Sequence, residues 1–249
     1  MASIPSPARL SVLQGPNRHV VRLSAHASLL GMLSSVGLVG ALHVLRPDLD
    51  PTRRFVSDYA VGPYHELMDM AFWACGLGIL ALVFCLYYGV SPEGRSWLGL
   101  VLLAVSGGCI NVAACFHDAP QTSSAILLDT VHDSIVQVGL LSQALAALAW
   151  SVRFRKDSRW RSVAGPALLL ALLMVLGLPC FVMTPVKLLG LAERCVLGLN
   201  LLWLCGVLVR LEVLLRGPKR RAQRLGTLSA KESSIRGLHS PEGQGVSPL

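Results

Sequence analysis

Histidine and acidic side chains recur near the ends of apolar stretches in this chain of 249 residues. His65 and Asp69 are four residues apart, so they lie on one face of a helix. Asp129, Asp133 and Gln137 repeat the same spacing further along the chain. Imidazole and carboxylate groups held together in this way act as general acids and bases or as zinc ligands. An arginine among them would instead bind an anionic group.

The candidate ligand-binding residues share a position near one end of the predicted membrane spans. An ionisable group at membrane depth costs roughly 2.5–3.5 kcal/mol on insertion scales, so we expect these side chains to face one another or a hydrated cavity. A first set comprises Asp58, His117, Asp118, His132, Asp133 and Arg194. A second set comprises His43, Arg46, Ser57, His65 and Asp69.

Composition places these residues in a membrane protein. The chain is 53% hydrophobic and only 14% charged, with a mean hydropathy of +0.58. A soluble domain carries about 25% charged residues, so the composition excludes a disordered chain and disfavours a soluble enzyme. The net charge of +8 then reflects membrane topology and not a nucleic-acid partner.

Six apolar stretches predict an all-α membrane protein, a bundle of six transmembrane helices, because each approaches the roughly 20 residues needed to cross the hydrocarbon core. The stretches run from Ala25 to Leu45, Met70 to Val90, Trp97 to Phe116, Ile135 to Val152, Val163 to Met183 and Gly190 to Val209. The predicted domains are a polar N-terminal tail (1–24), the transmembrane domain (25–211) and a basic, disordered C-terminal tail (212–249).

Two further patterns concern helix packing. Gly37 with Ala41, and Ala104 with Gly108, have the four-residue spacing of small residues that permits close helix crossings. Tryptophans are enriched at membrane interfaces, and the five in this chain fall mostly near the ends of predicted spans. We therefore expect interface anchors or lipid contacts at Trp73, Trp97, Trp150, Trp160 and Trp203.

The distribution of Lys and Arg predicts the orientation. The N-terminal segment, the second and fourth loops and the C-terminal segment hold sixteen of the 22 basic residues, against four in the opposite loops. This bias predicts both termini on the cytoplasmic side of the cell membrane. Seven of the eight aspartates belong to the opposite half, so the candidate site is expected to face outward.

Several short runs, taken in order, resemble a known family. They are His43-x-x-Arg46-Pro47, Ser57-Asp58-Tyr59-Ala60-Val61-Gly62, His117-Asp118, His132-Asp133 and Gly190-Leu191-Ala192-Glu193-Arg194. Together they look like the uncharacterised six-helix integral membrane family catalogued as domain of unknown function 998, over about Ala25 to Leu211. The resemblance implies a six-helix membrane protein without a known reaction. In that family a glutamate usually follows the serine, whereas this chain has Asp58, which keeps the charge but shortens its reach.

Three functions remain open. The favoured one is an outward-facing His/Asp/Arg pocket that binds a lipid headgroup or a small ligand. The alternative is a metal-dependent hydrolase acting on a lipid, with zinc on His65, His117 and His132. Ser57 and Asp58 would complete its residue types, although no H-x-x-x-H pair supports it. In the third, the polar residues only join helices. Membrane lipids are the expected partners, nucleic acid is not, no cofactor beyond that zinc is predicted, and the oligomeric state stays open.

Overall fold

The computed structural model describes residues 16–116 and 123–238, with side chains for residues 18–116 and 130–216. Over these residues the regular secondary structure is entirely helical. The chain forms two compact units, Met1–Glu212 and Val213–Leu249. The α-helices are α1 (Pro16–Leu45), α2 (His65–Gly89), α3 (Trp97–Ala113), α4 (Ser123–Phe154), α5 (Arg161–Val182) and α6 (Leu189–Leu238). Short 3-10 helices cover Ser57–Ala60 and Val186–Leu188.

The helices have the length and the surface of membrane spans. Within the described residues, five are long and apolar enough to cross a membrane. The sixth, α3, has 17 residues, or about 26 Å at a rise of 1.5 Å per residue. Large apolar side chains are exposed on all six helices, among them Leu33, Leu98 and Leu176. Apolar surface of this extent belongs in lipid and not in water.

The first helix begins earlier than its hydropathy predicts. It starts at Pro16 and not at Ala25, so the second part of the predicted tail (1–24) is helical. Val21, Ala25 and Ser28 form one buried face along this helix, and the Sγ atom of Cys85 on α2 lies 3.8 Å from the Val21 carbonyl oxygen. A hydropathy average does not register a buried stripe on one face, because the nearby Arg18 and Arg22 lower the average.

The last helix continues to Leu238, through most of the segment predicted to be a disordered tail (212–249). The helical part of this segment contains five Arg and five Leu, and both residue types have high helix propensity. Low hydropathy and high charge do not by themselves separate a polar helix from a disordered segment.

Neighbouring helices approach most closely at glycines. Helix α1 packs on α2, α2 on α3, α3 on α4 and α4 on α5. A Cβ atom added to Gly31 of α1 would fall under 3.0 Å from a backbone oxygen of α2, and one added to Gly76 of α2 would lie 2.6 Å from the oxygen of Gly107 on α3. Gly37 and Gly108, whose spacing permits a close crossing, do not make one, because an added Cβ atom there meets nothing within 4 Å. Small-residue spacing permits a crossing but does not choose the helix face that makes it.

The Gly31→Ala substitution is expected to destabilise the bundle by about 1–3 kcal/mol, as overpacking does. Its methyl group would overlap the carbonyl oxygen of Ala74, a backbone atom that no side-chain rotation can move away. Gly37→Ala in the same helix is the matched control, because its methyl group enters open space. Thermal denaturation in detergent should show a lower midpoint for the first variant alone. Equal midpoints would show that α1 and α2 do not cross at Gly31.

Three of the five tryptophans expected at the interface are core residues instead. Trp73 and Trp97 are 44% and 65% exposed, consistent with lipid contact. Trp160 stacks on Phe154 with ring centroids 4.5 Å apart, inside the bundle. A position near a span end does not determine whether the ring points outward or inward. The buried tryptophans are Trp150, Trp160 and Trp203.

A buried aspartate joins two loops at the end of the bundle opposite residues 46–63. Asp157 is 3% exposed, and its carboxylate accepts hydrogen bonds from the Ser91 backbone N–H at 2.9 Å and from the Arg159 side chain at 2.7 Å. Burial raises the pKa of Asp157, but these hydrogen bonds outweigh it, so the net pKa is lower than usual. Arg210 of α6 donates to the Arg159 carbonyl oxygen, which adds a third element to the contact.

Candidate ligand-binding site

The loop of residues 46–63 covers one end of the bundle, which we call the loop end. The Arg46 side chain is buried, and its Nε and Nη2 atoms donate to Asp48 at 2.9 and 2.8 Å. Its Nη1 atom donates to the carbonyl oxygens of Val61 at 2.7 Å and Pro63 at 3.2 Å. The hydrogen bonds to Asp48 raise the pKa of Arg46 and lower that of Asp48. Arg46 therefore ties the two ends of the loop together.

The middle of this loop is a 3-10 helix that faces into the bundle. Tyr59 is fully buried, and it packs in the core with apolar residues of α1 and α2. Asp58 accepts a hydrogen bond from the Phe55 backbone N–H at 3.1 Å and lies 3.9 Å from Arg54. The aspartate thus stabilises the start of the 3-10 helix, and this placement directs Ser57 toward the cavity described below.

The start of α6 lies directly against the same loop. A Cβ atom on Gly190 would be 2.7 Å from the Pro51 carbonyl oxygen, so this position has no room for a side chain. One turn later, the Nη1 atom of Arg194 donates to the carbonyl oxygens of Arg54 at 2.7 Å and Gly190 at 2.9 Å. The close approach at Gly190 is what brings the Arg194 guanidinium under the loop.

His43 and Arg194 form a polar pair between α1 and α6. The His43 Nδ1 atom donates to the Val39 carbonyl oxygen at 2.7 Å, which leaves Nε2 to accept from the Arg194 Nε atom at 3.1 Å. One donor and one acceptor are the hydrogen-bonding pattern of a neutral imidazole. The Nη2 atom of Arg194 is buried and has no hydrogen-bond partner among the described residues. A buried guanidinium donor of this kind lacks an acceptor that a ligand can supply.

A cavity of about 350 Å³, the main cavity, extends from this pair into the bundle. Its polar residues at the loop end are His43, Ser57, Glu193 and Arg194. Its wall is otherwise mostly apolar and includes Met32, Val36, Ile79, Leu201 and Leu204. The main cavity is therefore amphipathic, with charge and hydrogen-bonding groups at one end and hydrocarbon along its length.

A second space of about 100 Å³, the small cavity, adjoins the main cavity at the loop end. His132 of α4 is 6% exposed, and its Nδ1 atom lies 3.1 Å from the Phe116 carbonyl oxygen. Its Nε2 atom is buried and has no hydrogen-bond partner among the residues that the structure describes. The polar lining of the small cavity consists of Ser57, His132, Asp133, Gln137 and Glu193.

Glu193 contributes to both cavities and was not among the predicted site residues. Its Oε2 atom accepts a hydrogen bond from the Val56 backbone N–H at 2.6 Å. Its carboxylate is attracted by Arg194 and repelled by Asp58 and Asp133. The available signal was its place next to Arg194 in the Gly190–Arg194 run.

Gln143 and Asn200 also line the main cavity, although neither was among the predicted site residues. Both side chains are buried. An amide within an apolar span requires hydrogen-bond partners, because an unsatisfied polar group is costly in lipid. Their polar character within apolar spans was the available signal for both residues.

The structure brings some predicted site residues together and separates others. Those that line the two cavities are His43, Ser57, His132, Asp133 and Arg194. Arg46 and Asp58 organise the loop instead. His65 and Asp69 form the expected pair on the first turn of α2, 3.7 Å apart, with the His65 side chain 46% exposed. His117 and Asp118 lie outside the described residues.

The two proposed zinc ligands that the structure describes, His65 and His132, do not form part of a metal site. Within the described residues, no group of three or more His, Cys, Asp or Glu side chains is placed to hold a metal ion. His65 pairs with Glu66 and Asp69, whereas His132 lines the small cavity. The third proposed ligand, His117, lies outside the described residues, so the hydrolase stays a prediction.

Apolar helices with lipid-facing surfaces, an ordered loop and an amphipathic cavity define the class: this is an all-helical, multi-pass membrane protein. The chain belongs to the family described as Protein of unknown function (DUF998), which matches residues 29–210. This match confirms the resemblance that the short motifs suggested. Comparison with curated proteins and with solved structures found no match.

Proposed function

We propose that this protein binds a single-chain amphipathic lipid in the main cavity, with an anionic headgroup on Arg194. The observation that carries the proposal is the combination of an unpartnered, buried guanidinium nitrogen with a mostly apolar cavity of about 350 Å³. That volume lies at the lower end of the range of about 300–1,000 Å³ for small-molecule sites, which suits one chain better than two.

The headgroup contact determines the affinity in this proposal. A lipid tail that moves from the bilayer into the main cavity exchanges one apolar environment for another, so its burial supplies little free energy. A charge-assisted hydrogen bond between Arg194 and a carboxylate or phosphate is worth roughly twice a neutral one. Because His43 accepts from the Arg194 Nε atom, the guanidinium is already oriented before the ligand binds.

We also infer six spans, with both termini on the cytoplasmic side of the cell membrane and the loop end outward. The short helix α3 packs between α2 and α4, which are both long enough to cross a membrane. A helix of about 26 Å in that position can span a hydrocarbon core that thins locally around it. The excess of Lys and Arg in alternate loops supports the orientation.

The Arg194→Gln substitution is expected to weaken the binding of stearate, a saturated fatty acid, by roughly tenfold to hundredfold. This range corresponds to the approximately 1.5–3 kcal/mol of a hydrogen bond to a charged group. The measurement is displacement of a fluorescent fatty acid from the purified protein. Arg194→Lys keeps the positive charge but lacks the planar guanidinium group, which can donate two parallel hydrogen bonds to a carboxylate. We therefore expect an intermediate affinity.

Arg53→Gln is the matched control, because Arg53 is an exposed arginine of the loop that Arg194 contacts, and it pairs with Asp50 at 3.4 Å. It should bind stearate as the wild type does. Thermal denaturation of each variant separates loss of the headgroup contact from loss of the fold. Wild-type affinity in a folded Arg194→Gln variant would refute the assignment of the headgroup to Arg194.

A further inference from the structure

Two amides deep in the main cavity have unused hydrogen-bonding atoms. Gln143 is 2% exposed, and its Oε1 atom accepts from the Ser106 hydroxyl at 3.1 Å, while its Nε2 atom has no partner among the described residues. Asn200 is 5% exposed, and its Nδ2 atom donates to the Val196 carbonyl oxygen at 2.7 Å, while its Oδ1 atom has no partner there either. Each amide therefore uses one of its polar atoms within the protein and leaves the other unpaired.

The two amides lie at a similar depth. Val136 of α4 and Val196 of α6 line the small cavity together, and both helices run away from the loop end. From these positions Gln143 is seven residues further along α4, and Asn200 is four further along α6. At 1.5 Å per residue their depths differ by about 4.5 Å. By the same rise, Asn200 lies about 9 Å deeper than Arg194. Gln143 and Asn200 therefore form a second polar level of the main cavity, below the level of Arg194.

One unpaired donor and one unpaired acceptor, in an otherwise apolar wall, match the chemistry of a hydroxyl group. A hydroxyl donates one hydrogen bond and accepts others, so it can bond to the Gln143 Nε2 atom and the Asn200 Oδ1 atom together. Resting on the proposed function, we propose that the ligand carries a hydroxyl in the middle of its chain and that Gln143 and Asn200 recognise it. An ordered water is the competing occupant, because buried waters commonly satisfy such atoms.

The test compares stearate with a series of hydroxystearate positional isomers in the same displacement assay. We expect one isomer, or two adjacent ones, to bind the wild type about tenfold more tightly than stearate, since only a hydroxyl at the right distance from the carboxylate reaches both amides. The Gln143→Met and Asn200→Leu variants keep the side-chain volume but remove the polar atoms. Both variants should lose the preference, so that the hydroxystearate isomers and stearate bind each of them with similar affinity.

Asn111→Leu is the matched control for Asn200→Leu. Asn111 is a buried amide of α3 whose Oδ1 atom is also unpaired, but it is not among the residues that line the main cavity. This variant should keep the hydroxyl preference. If stearate and every isomer bind the wild type equally, the inference is overturned. If none of them binds the wild type, the proposed function itself fails.

Discussion

The Gly198→Phe substitution is expected to abolish stearate binding, with a loss of affinity of at least about a hundredfold. Gly198 of α6 lines the main cavity, and an added Cβ atom would meet nothing within 4 Å. The aromatic ring would therefore occupy the ligand's space without displacing other parts of the protein. A sterically excluded ligand makes no contact with Arg194 or with any other group of the main cavity, which is why we expect a larger effect than from any single polar substitution.

Gly206→Phe provides the control on the same helix, about two turns further on. An added Cβ atom at this position also meets nothing within 4 Å, but Gly206 is exposed and does not line the main cavity. This variant should bind stearate with wild-type affinity, and both variants should denature near the wild-type temperature. Undiminished binding by Gly198→Phe would place the ligand outside the main cavity.

The Asp157→Ala substitution is expected to lower the free energy of unfolding by about 3 kcal/mol, the low end of the range for breaking a buried ion pair. It leaves the Arg159 guanidinium, whose side chain is 15% exposed, without its carboxylate, and it removes the acceptor of the Ser91 N–H. Denaturation in detergent at neutral pH measures the loss. The control is Asp50→Ala, which breaks the exposed pair with Arg53 and should cost less than about 1 kcal/mol.

The stabilisation of the fold by Asp157 should also decrease at low pH. Because its pKa is lower in the folded state, the stabilisation is fully present above the ordinary aspartate pKa of about 3.9. It is lost as the pH falls through the still lower pKa of the folded protein. The difference in midpoint between the wild type and Asp157→Ala should therefore stay constant from neutral pH to about pH 4 and narrow below it. A difference in midpoint that already narrows near pH 6 would contradict the lowered pKa of Asp157 in the folded protein.

The sequence alone was enough to establish several features of this protein. Long runs of Leu, Val, Ala and Gly predicted helices that cross a membrane, because a helix satisfies its own backbone hydrogen bonds in lipid. The clustering of ionisable residues at span ends led to His43, His132 and Arg194, which do line the two cavities. The run beginning at Gly190 contributed to the family resemblance, and the structure places it where α6 meets the loop.

Only the tertiary structure decided which face of each helix points inward. Gly31 makes a close crossing and Gly37 does not, although both are glycines of α1. Trp160 is buried and Trp97 is exposed, although both lie near span ends. In a soluble protein the apolar face identifies the interior, but in a bilayer the lipid is as apolar as the core. Hydropathy therefore carries little information about helix rotation, and the packing of one helix against the next has to supply it.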